Sequence, residues 1–116
     1  KQPQVASVSY PHLPSSPYYA RAMKYMPNGG CGVVSFVLKG GRPAAEAFMK
    51  RLTLAAIETH VADARTCCLH PASTTHRQMN AEELKAAGVP EDLVRYSCGL
   101  EDAEDLIADL AQALDA

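Results

Sequence analysis

Residues 70–101 read HPASTTHRQMNAEELKAAGVPEDLVRYSCGLE, a stretch with a polar loop, a helix and a strand in succession. Residues 71–76 are mainly small and hydroxyl-bearing, which is typical of a loop whose side chains bond the local backbone. Asn80 and Glu83 have the spacing of a capping box and predict the start of a helix. Gly88 predicts the end of that helix, because glycine readily adopts the left-handed conformation found there.

Several other segments have strand character. Residues 93–98 alternate apolar and polar side chains, as a half-buried strand does. Residues 32–38 (GVVSFVL) are rich in β-branched and apolar side chains, and predict a buried strand. Residues 65–69 predict a short strand, and residues 54–59 fit either a helix end or a short strand. Residues 1–14 contain three prolines and are expected to form an extended lead-in.

Three further helices are predicted. The first starts at Ser16 and Pro17, where the hydroxyl can cap and proline loses no needed donor, and ends before Pro27. The second starts near Pro43, and the last follows the acidic residues 101–105, which suit the positive end of a helix. The resulting order is helix, strand, helix, strand, strand, helix, strand, helix. It predicts an α/β fold with a small sheet covered by helices.

Length and charge restrict the class of protein. The chain has 116 residues, which fits one domain with a modest core. Its net charge of -2 provides no basic surface for nucleic acid or for an anionic membrane. No apolar run is long enough for a membrane span, and residues 1–9 lack the apolar centre of a signal peptide. Because the first residue is Lys1, we expect a fragment or a processed product.

The cysteine pattern favours a reducing cytoplasm. The four cysteines are Cys31, Cys67, Cys68 and Cys98. Adjacent cysteines rarely belong to a secreted disulfide framework. Zinc is an alternative because His70 and His76 lie near the adjacent pair, but the usual CxxC and HxxxH spacings are missing. Buried structural thiols are therefore favoured over a metal site.

Arg95 is the residue whose chemistry stands out, because it interrupts an apolar strand. A buried arginine needs a partner, and its planar fork suits a carboxylate or a phosphate. Residue type alone favours a structural salt bridge with one of the 13 acidic residues over a ligand site. Residues 73–76 place hydroxyls next to an imidazole, but no nucleophile motif accompanies them, so a structural turn is favoured.

The chain resembles the Cys/Met-metabolism family of enzymes that depend on pyridoxal 5'-phosphate. Residues 70–102 are similar to the family's C-terminal signature, above all in HPASTTH and LVRYSCGLED. The YPHLP of residues 10–14 resembles its YPGLP lead-in, and residues 32–41 resemble its central strand and turn. The resemblance covers essentially the whole chain. The STTH of residues 73–76 looks most like the O-acetylhomoserine sulfhydrylase branch.

The resemblance implies the small C-terminal domain of an aspartate-aminotransferase-like (fold type I) transferase, with a mixed or antiparallel sheet. Residues 1–30 would form the lead-in and a linking helix, and residues 31–116 the domain that binds the substrate carboxylate. The large domain that holds pyridoxal phosphate would lie outside this chain. For this chain, the resemblance implies three kinds of partner. They are the N-terminal domain of the same protein, a small amino-acid substrate, and further copies of the protein in a homotetramer that is a dimer of dimers.

The resemblance also implies roles for three residues. Arg95 would bind the substrate α-carboxylate, and Thr75 would line the same pocket. His60 stands where the lyases have serine and the sulfhydrylases often have asparagine, and an imidazole could still donate a hydrogen bond there. No catalytic, cofactor-binding or metal-binding residue is predicted within this chain. Neither Lys24 nor Lys39 lies in the Ser/Thr-Lys motif of the Schiff-base lysine.

The implied activity is the conversion of an O-acyl-homoserine and sulfide or a thiol to homocysteine or methionine. This chain alone is expected to be inactive, since the cofactor lysine would be elsewhere. Two alternatives remain open. One is a methionine gamma-lyase or a cystathionine synthase or lyase of the same family, and the other is a freestanding domain without catalysis.

Overall fold

The computed structural model describes residues 2–115. In chain order, the elements are β1 (Val5–Ser9), α1 (Tyr19–Tyr25), β2 (Val33–Leu38), α2 (Gly41–Arg51), β3 (Ala56–Ile57), β4 (Cys67–Leu69), a 3-10 turn (Pro71–Ser73), α3 (Ala81–Ala86), β5 (Leu93–Ser97) and α4 (Ala103–Leu114). The predicted α/β class is confirmed. No helix in the described part of the chain is long and apolar enough to cross a membrane.

The strands form one mixed sheet in the order β1-β2-β5-β4-β3. The β1-β2, β2-β5 and β5-β4 pairs are antiparallel, and the β3-β4 pair is parallel. Strand β1 lies within the segment expected to be an extended lead-in. It is an edge strand, so it pairs on one side only, and its pairing with β2 is irregular between Val5 and Ser7. A short edge strand flanked by prolines has little periodic signal, which is why the sequence did not predict it.

Helices α2 and α4 cover one face of the sheet. The core lies between them and the strands, and Phe36 packs edge-on against Phe48 of α2 with ring centroids 5.6 Å apart. The strand residues in this core are Phe36, Leu38, Cys68, Val94 and Tyr96. Since strand side chains alternate between faces, the residues between them point to the opposite face. That opposite face, away from α2 and α4, is called the open face below.

Two helix starts differ from the prediction. Helix α1 begins at Tyr19 with Tyr18 as its N-cap, so the predicted cap at Ser16 and start at Pro17 are wrong. The Ser16 hydroxyl instead accepts a hydrogen bond from the Tyr18 backbone, which shapes the turn before the helix. Helix α2 begins before Pro43, after Gly40 with φ of +103°. The predicted end of α1 before Pro27 and the capping box at the start of α3 are confirmed.

The cysteines are free thiols in two different environments. Cys67 and Cys68 are buried, as expected of structural thiols, whereas Cys31 and Cys98 are exposed. Burial raises the pKa of both buried thiols, and that of Cys68 to about 12. Because the thiolate is the reactive form, burial makes these two thiols less reactive than an exposed cysteine.

Candidate functional site

Arg95 lies on the open face of the sheet, in the middle of β5. Val94 and Tyr96 on either side of it point into the helix-covered core. Across the strands, Arg95 is paired with Ser35 of β2, and Ser35 is paired with Ser9 of β1. Directly paired residues share a face, so this row presents two hydroxyls beside one guanidinium. On its other side Arg95 is paired with Leu69 of β4, so this row is polar only toward β2 and β1.

The Arg95 guanidinium is held by backbone rather than by a carboxylate. Its Nη2 donates a 2.7 Å hydrogen bond to the Thr59 carbonyl, and the side chain is only partly buried. Within residues 2–115, no carboxylate oxygen lies within 4.0 Å of it, since the ion pairs there join other residues. The structural salt bridge favoured by residue type is therefore wrong for the described chain. One contact leaves most of the five guanidinium N–H groups available to a ligand.

The segment after β3 lies over the end of β5 and contains His60. Ala62 has φ of +57°, an uncommon conformation for a residue with a side chain, and its N–H donates to the Ser97 hydroxyl at 3.3 Å. Next to Thr59, the His60 imidazole is exposed, with Nδ1 3.6 Å from the Asp63 carboxylate. The fold therefore brings this segment to Arg95, but the His60 side chain contacts Asp63 instead of the arginine.

The hydroxyl-rich loop is fixed by His70, which is almost fully buried. Its Nε2 lies 2.7 Å from the Glu91 carbonyl, which can only accept, so Nε2 carries the proton. Nδ1 then accepts from the Ser73 hydroxyl at 2.8 Å. The Thr74 hydroxyl donates to the His70 carbonyl at 2.8 Å. Together these bonds attach the loop to the residues that lead into β5, and so to the strand that carries Arg95.

Thr75 is at the exposed end of this loop. Its hydroxyl oxygen lies 2.8 Å from Nδ1 of His76, and in residues 2–115 no hydrogen bond joins it to Arg95 or to His60. The structure thus places Arg95 and the segment with His60 together, and holds the Thr75 loop by separate bonds.

Sequence reasoning missed several residues that shape this site. The Thr59 carbonyl has no sequence signal, because any residue supplies one. Ser35 and Ser97 are polar residues within apolar strands, and this pattern already indicates the face that Arg95 occupies. The His70 Nε2 hydrogen bond is made to the carbonyl of Glu91, 21 residues away, and only the tertiary fold reveals it.

The sequence comparison gives the class of protein. The family of Cys/Met metabolism PLP-dependent enzymes matches residues 1–115, and the chain belongs to this family.

Individual relatives agree with the family assignment. The chain is 50% identical over 114 residues to O-acetyl-L-homoserine sulfhydrylase 1 of Thermus thermophilus, covering 98% of this chain and 27% of the relative. It is 45% identical over 115 residues to L-methionine gamma-lyase of Treponema denticola, covering 99% of this chain and 28% of that protein. The chain therefore spans little more than a quarter of the length of these relatives.

Solved structures confirm the fold. A putative O-acetylhomoserine (thiol)-lyase of Campylobacter jejuni, crystallised with N'-pyridoxyl-lysine-5'-monophosphate, superposes with a TM-score of 0.90 at 37% identity, covering 99% of this chain and 27% of that one. A cystathionine gamma-lyase of Micromonospora echinospora gives 0.89 at 36% identity, covering 99% and 30%. The described domain has the fold of the corresponding part of these fold type I enzymes.

The residues described here do not fit a covalent pyridoxal phosphate site. All four lysines in the described range are exposed, and each follows Met or Leu rather than Ser or Thr. These lysines are Lys24, Lys39, Lys50 and Lys85. Residues 2–115 also contain no group of three His, Cys, Asp or Glu side chains that could hold a metal ion. What the open face offers is a guanidinium with hydroxyls beside it, which suits a small anionic group.

Proposed function

We propose that this chain is the C-terminal, substrate-carboxylate-binding part of a PLP-dependent sulfhydrylase. Residues 31–116 would be the carboxylate-binding domain, and residues 1–30 the lead-in and linking helix. The longer protein would join an O-acyl-homoserine to sulfide or a thiol, giving homocysteine or methionine. The observation that carries the proposal is Arg95, a strand arginine on the open face with no carboxylate partner within residues 2–115.

Arg95 would act by positioning. Its planar fork can bind both oxygens of an amino-acid carboxylate, which fixes the direction of the substrate as well as its place. The bond to the Thr59 carbonyl restrains the guanidinium before substrate arrives. The Ser35 hydroxyl beside it would donate a hydrogen bond to the same carboxylate. The cofactor and its lysine would lie outside residues 1–116, so the chain's own residues orient the substrate and do not change its bonds.

Thr75 and His60 would complete the surroundings of the carboxylate. The Thr75 hydroxyl is exposed on a loop that His70 ties to the start of β5. His60 adjoins the residue that holds Arg95, and its exposed imidazole would donate a hydrogen bond to the bound carboxylate. The three residues would thus contribute from three separate segments around one carboxylate.

The test is substitution of Arg95 in the longer protein. Arg95→Ala should raise KM for the amino-acid substrate about 10- to 150-fold, because hydrogen bonds to charged groups contribute about 1.5–3 kcal/mol. Arg95→Lys should recover part of the loss, since lysine keeps the charge but not the fork. Arg42→Ala is the matched control, because Arg42 has its own partner, Glu46, at 2.8 Å. An unchanged KM in Arg95→Ala would refute the carboxylate assignment.

A methionine gamma-lyase is the second candidate, because L-methionine gamma-lyases are among the relatives at 45% identity. The two reactions can be separated with the longer protein. A sulfhydrylase should form homocysteine from O-acetylhomoserine and sulfide, and leave methionine unchanged. A lyase should release ammonia and a keto acid from methionine alone. The 50% identity to a sulfhydrylase and the STTH sequence of residues 73–76 support the first outcome.

A further inference from the structure

The hydroxyls of Ser73, Thr74 and Thr75 differ in where their hydrogens go. Ser73 donates to Nδ1 of His70 at 2.8 Å, and Thr74 donates to the His70 carbonyl at 2.8 Å. Both of these hydrogens are therefore used inside the loop. The Thr75 hydroxyl oxygen lies 2.8 Å from Nδ1 of His76, and an imidazole nitrogen can either donate or accept. Of the three residues, Thr75 is thus the one whose hydroxyl hydrogen can be left for a ligand.

Main-chain hydrogen bonds hold this hydroxyl–imidazole pair in place. The His76 N–H donates to the Pro71 carbonyl at 2.9 Å, and the Met79 N–H donates to the His76 carbonyl at 3.0 Å. Thr75 is exposed, whereas His76 is half-buried. The backbone on both sides of His76 is therefore restrained, and the threonine next to it remains accessible to a ligand.

The hydrogen on Nδ1 of His76 decides what Thr75 can offer to a carboxylate. If Nδ1 lacks a hydrogen, the hydroxyl donates to it and presents only lone pairs to the carboxylate, which also has only lone pairs. If Nδ1 carries a hydrogen, the hydroxyl accepts from it and can donate to the carboxylate. The Glu91 carbonyl fixes the hydrogen of His70 on Nε2, whereas within residues 2–115 no protein group bonds Nε2 of His76. The Nδ1–H form is therefore open to His76.

We propose that His76 is a positioning residue for the substrate carboxylate and that it acts through Thr75. Its Nδ1–H donates to the Thr75 hydroxyl oxygen, and the hydroxyl hydrogen is thereby directed to the carboxylate that Arg95 binds. A hydroxyl that accepts one hydrogen bond is also a stronger donor in the next. The inference rests on the proposed function, because it requires an amino-acid substrate at Arg95. Since His76 contacts no reacting atom, its effect falls on substrate binding and not on the chemical step.

A double-mutant cycle in the longer protein tests this role. His76→Leu removes the donor and should raise KM for the amino-acid substrate about 3- to 10-fold with kcat unchanged, the range expected of one hydrogen bond. His76→Asn keeps an N–H near the position of Nδ1 and should return KM to within about 2-fold of wild type. Thr75→Val removes the hydroxyl, and in that background His76→Leu should change KM no further. Gln78→Leu, at an exposed residue of the same loop, is the control and should leave KM unchanged.

Three results would overturn the proposal: an unchanged KM in His76→Leu, an increase that His76→Asn does not reverse, or an increase of the same size in the Thr75→Val background. The last result would mean that His76 acts without Thr75. Arg95→Ala in the same assay separates these results from the proposed function. If Arg95→Ala raises KM and His76→Leu does not, the carboxylate site stands and the role of His76 is refuted. If Arg95→Ala leaves KM unchanged, the proposed function is refuted, and this inference with it.

Discussion

Asp109 is a buried carboxylate on α4 that holds the chain between α2 and β3. Its oxygens accept hydrogen bonds from the backbone N–H groups of Thr53, Leu54 and Ala55 and from the Thr53 hydroxyl, at 2.8–3.0 Å. Burial acts to raise the pKa of Asp109, but these donors together hold it well below the ordinary 3.8. The carboxylate thus remains charged although it is enclosed.

Asp109→Asn should destabilise the protein by about 3 kcal/mol, because the amide nitrogen would face backbone N–H groups that cannot accept a hydrogen bond. Urea unfolding measures the change. Asp105→Asn is the control, an exposed acid in the first turn of the same helix, and should cost no more than about 1 kcal/mol. An equal decrease in the free energy of unfolding in the two variants would show that the buried hydrogen bonds of Asp109 do not stabilise the protein.

The stabilisation by Asp109 should also depend on pH. Because its pKa is lower in the folded state than in the unfolded state, its contribution is full above the ordinary value of 3.8 and is lost as pH falls. The difference in Tm between wild type and Asp109→Asn should therefore narrow below about pH 4. Glu46 and Glu101 also have lowered pKa values, but they titrate in both proteins and cancel. A gap that stays constant to about pH 2 would contradict this account.

Among single residues, local chemistry was readable from the sequence and long-range partners were not. Arg95 stands out because an arginine within an apolar strand needs a partner, and this holds whatever the fold. The partner itself is a backbone carbonyl 36 residues away, in a segment without regular structure. The same limit applies to Asp109, whose backbone donors lie more than 50 residues earlier in the chain. The residue type predicts that a buried charged group needs a polar partner, but only the tertiary structure shows which group that partner is.

Among elements, the loop from β5 to α4 depends on a close backbone approach at Gly99. A Cβ atom there would lie 2.5 Å from the Thr66 nitrogen and 2.6 Å from the Arg65 carbonyl carbon, both main-chain atoms that cannot rotate away. The Gly99 N–H also donates to the Thr66 hydroxyl, which in turn donates to Glu101. This network joins the end of β5 to the start of β4.

Gly99→Ala should therefore destabilise the protein by about 2 kcal/mol or more, since the two backbone segments must separate. Gly32→Ala is the control at the start of the neighbouring strand, where the added carbon would sit 3.4 Å from the Cys98 carbonyl oxygen. Thermal unfolding of both variants measures the difference. If both lose equally little, the close approach at Gly99 is readily relieved.

Elements were predictable where their signal is local. The capping box of Asn80 and Glu83 was predictable, because it involves four consecutive residues and both of its hydrogen bonds form within them. The start of α1 was predicted wrongly, because Ser16 followed by Pro17 is as compatible with a turn as with the first residues of a helix. Strand β1 was missed because its five residues carry one weak alternation and its pairing partner, β2, follows more than 20 residues later.

At the scale of the whole molecule, periodicity predicted an α/β layer but not the strand order. The order β1-β2-β5-β4-β3 places β5, the last strand in sequence, in the middle of the sheet. That central place surrounds Arg95 with β2 and β4 and leaves its side chain on a face without α2 or α4. The location of the site thus follows from topology, which local patterns do not encode.

The last prediction concerns cofactor binding by the isolated chain. Every lysine in the described range is exposed, and none follows Ser or Thr, so the 116-residue chain should not bind pyridoxal phosphate as a saturable, equimolar yellow complex. After borohydride reduction, peptide mapping should find only weak labelling spread over several exposed lysines. The longer protein, treated in the same way, should be labelled at one lysine outside residues 1–116. A stable equimolar complex formed by the short chain, with one lysine reduced, would contradict the assignment of this chain as the carboxylate-binding part alone.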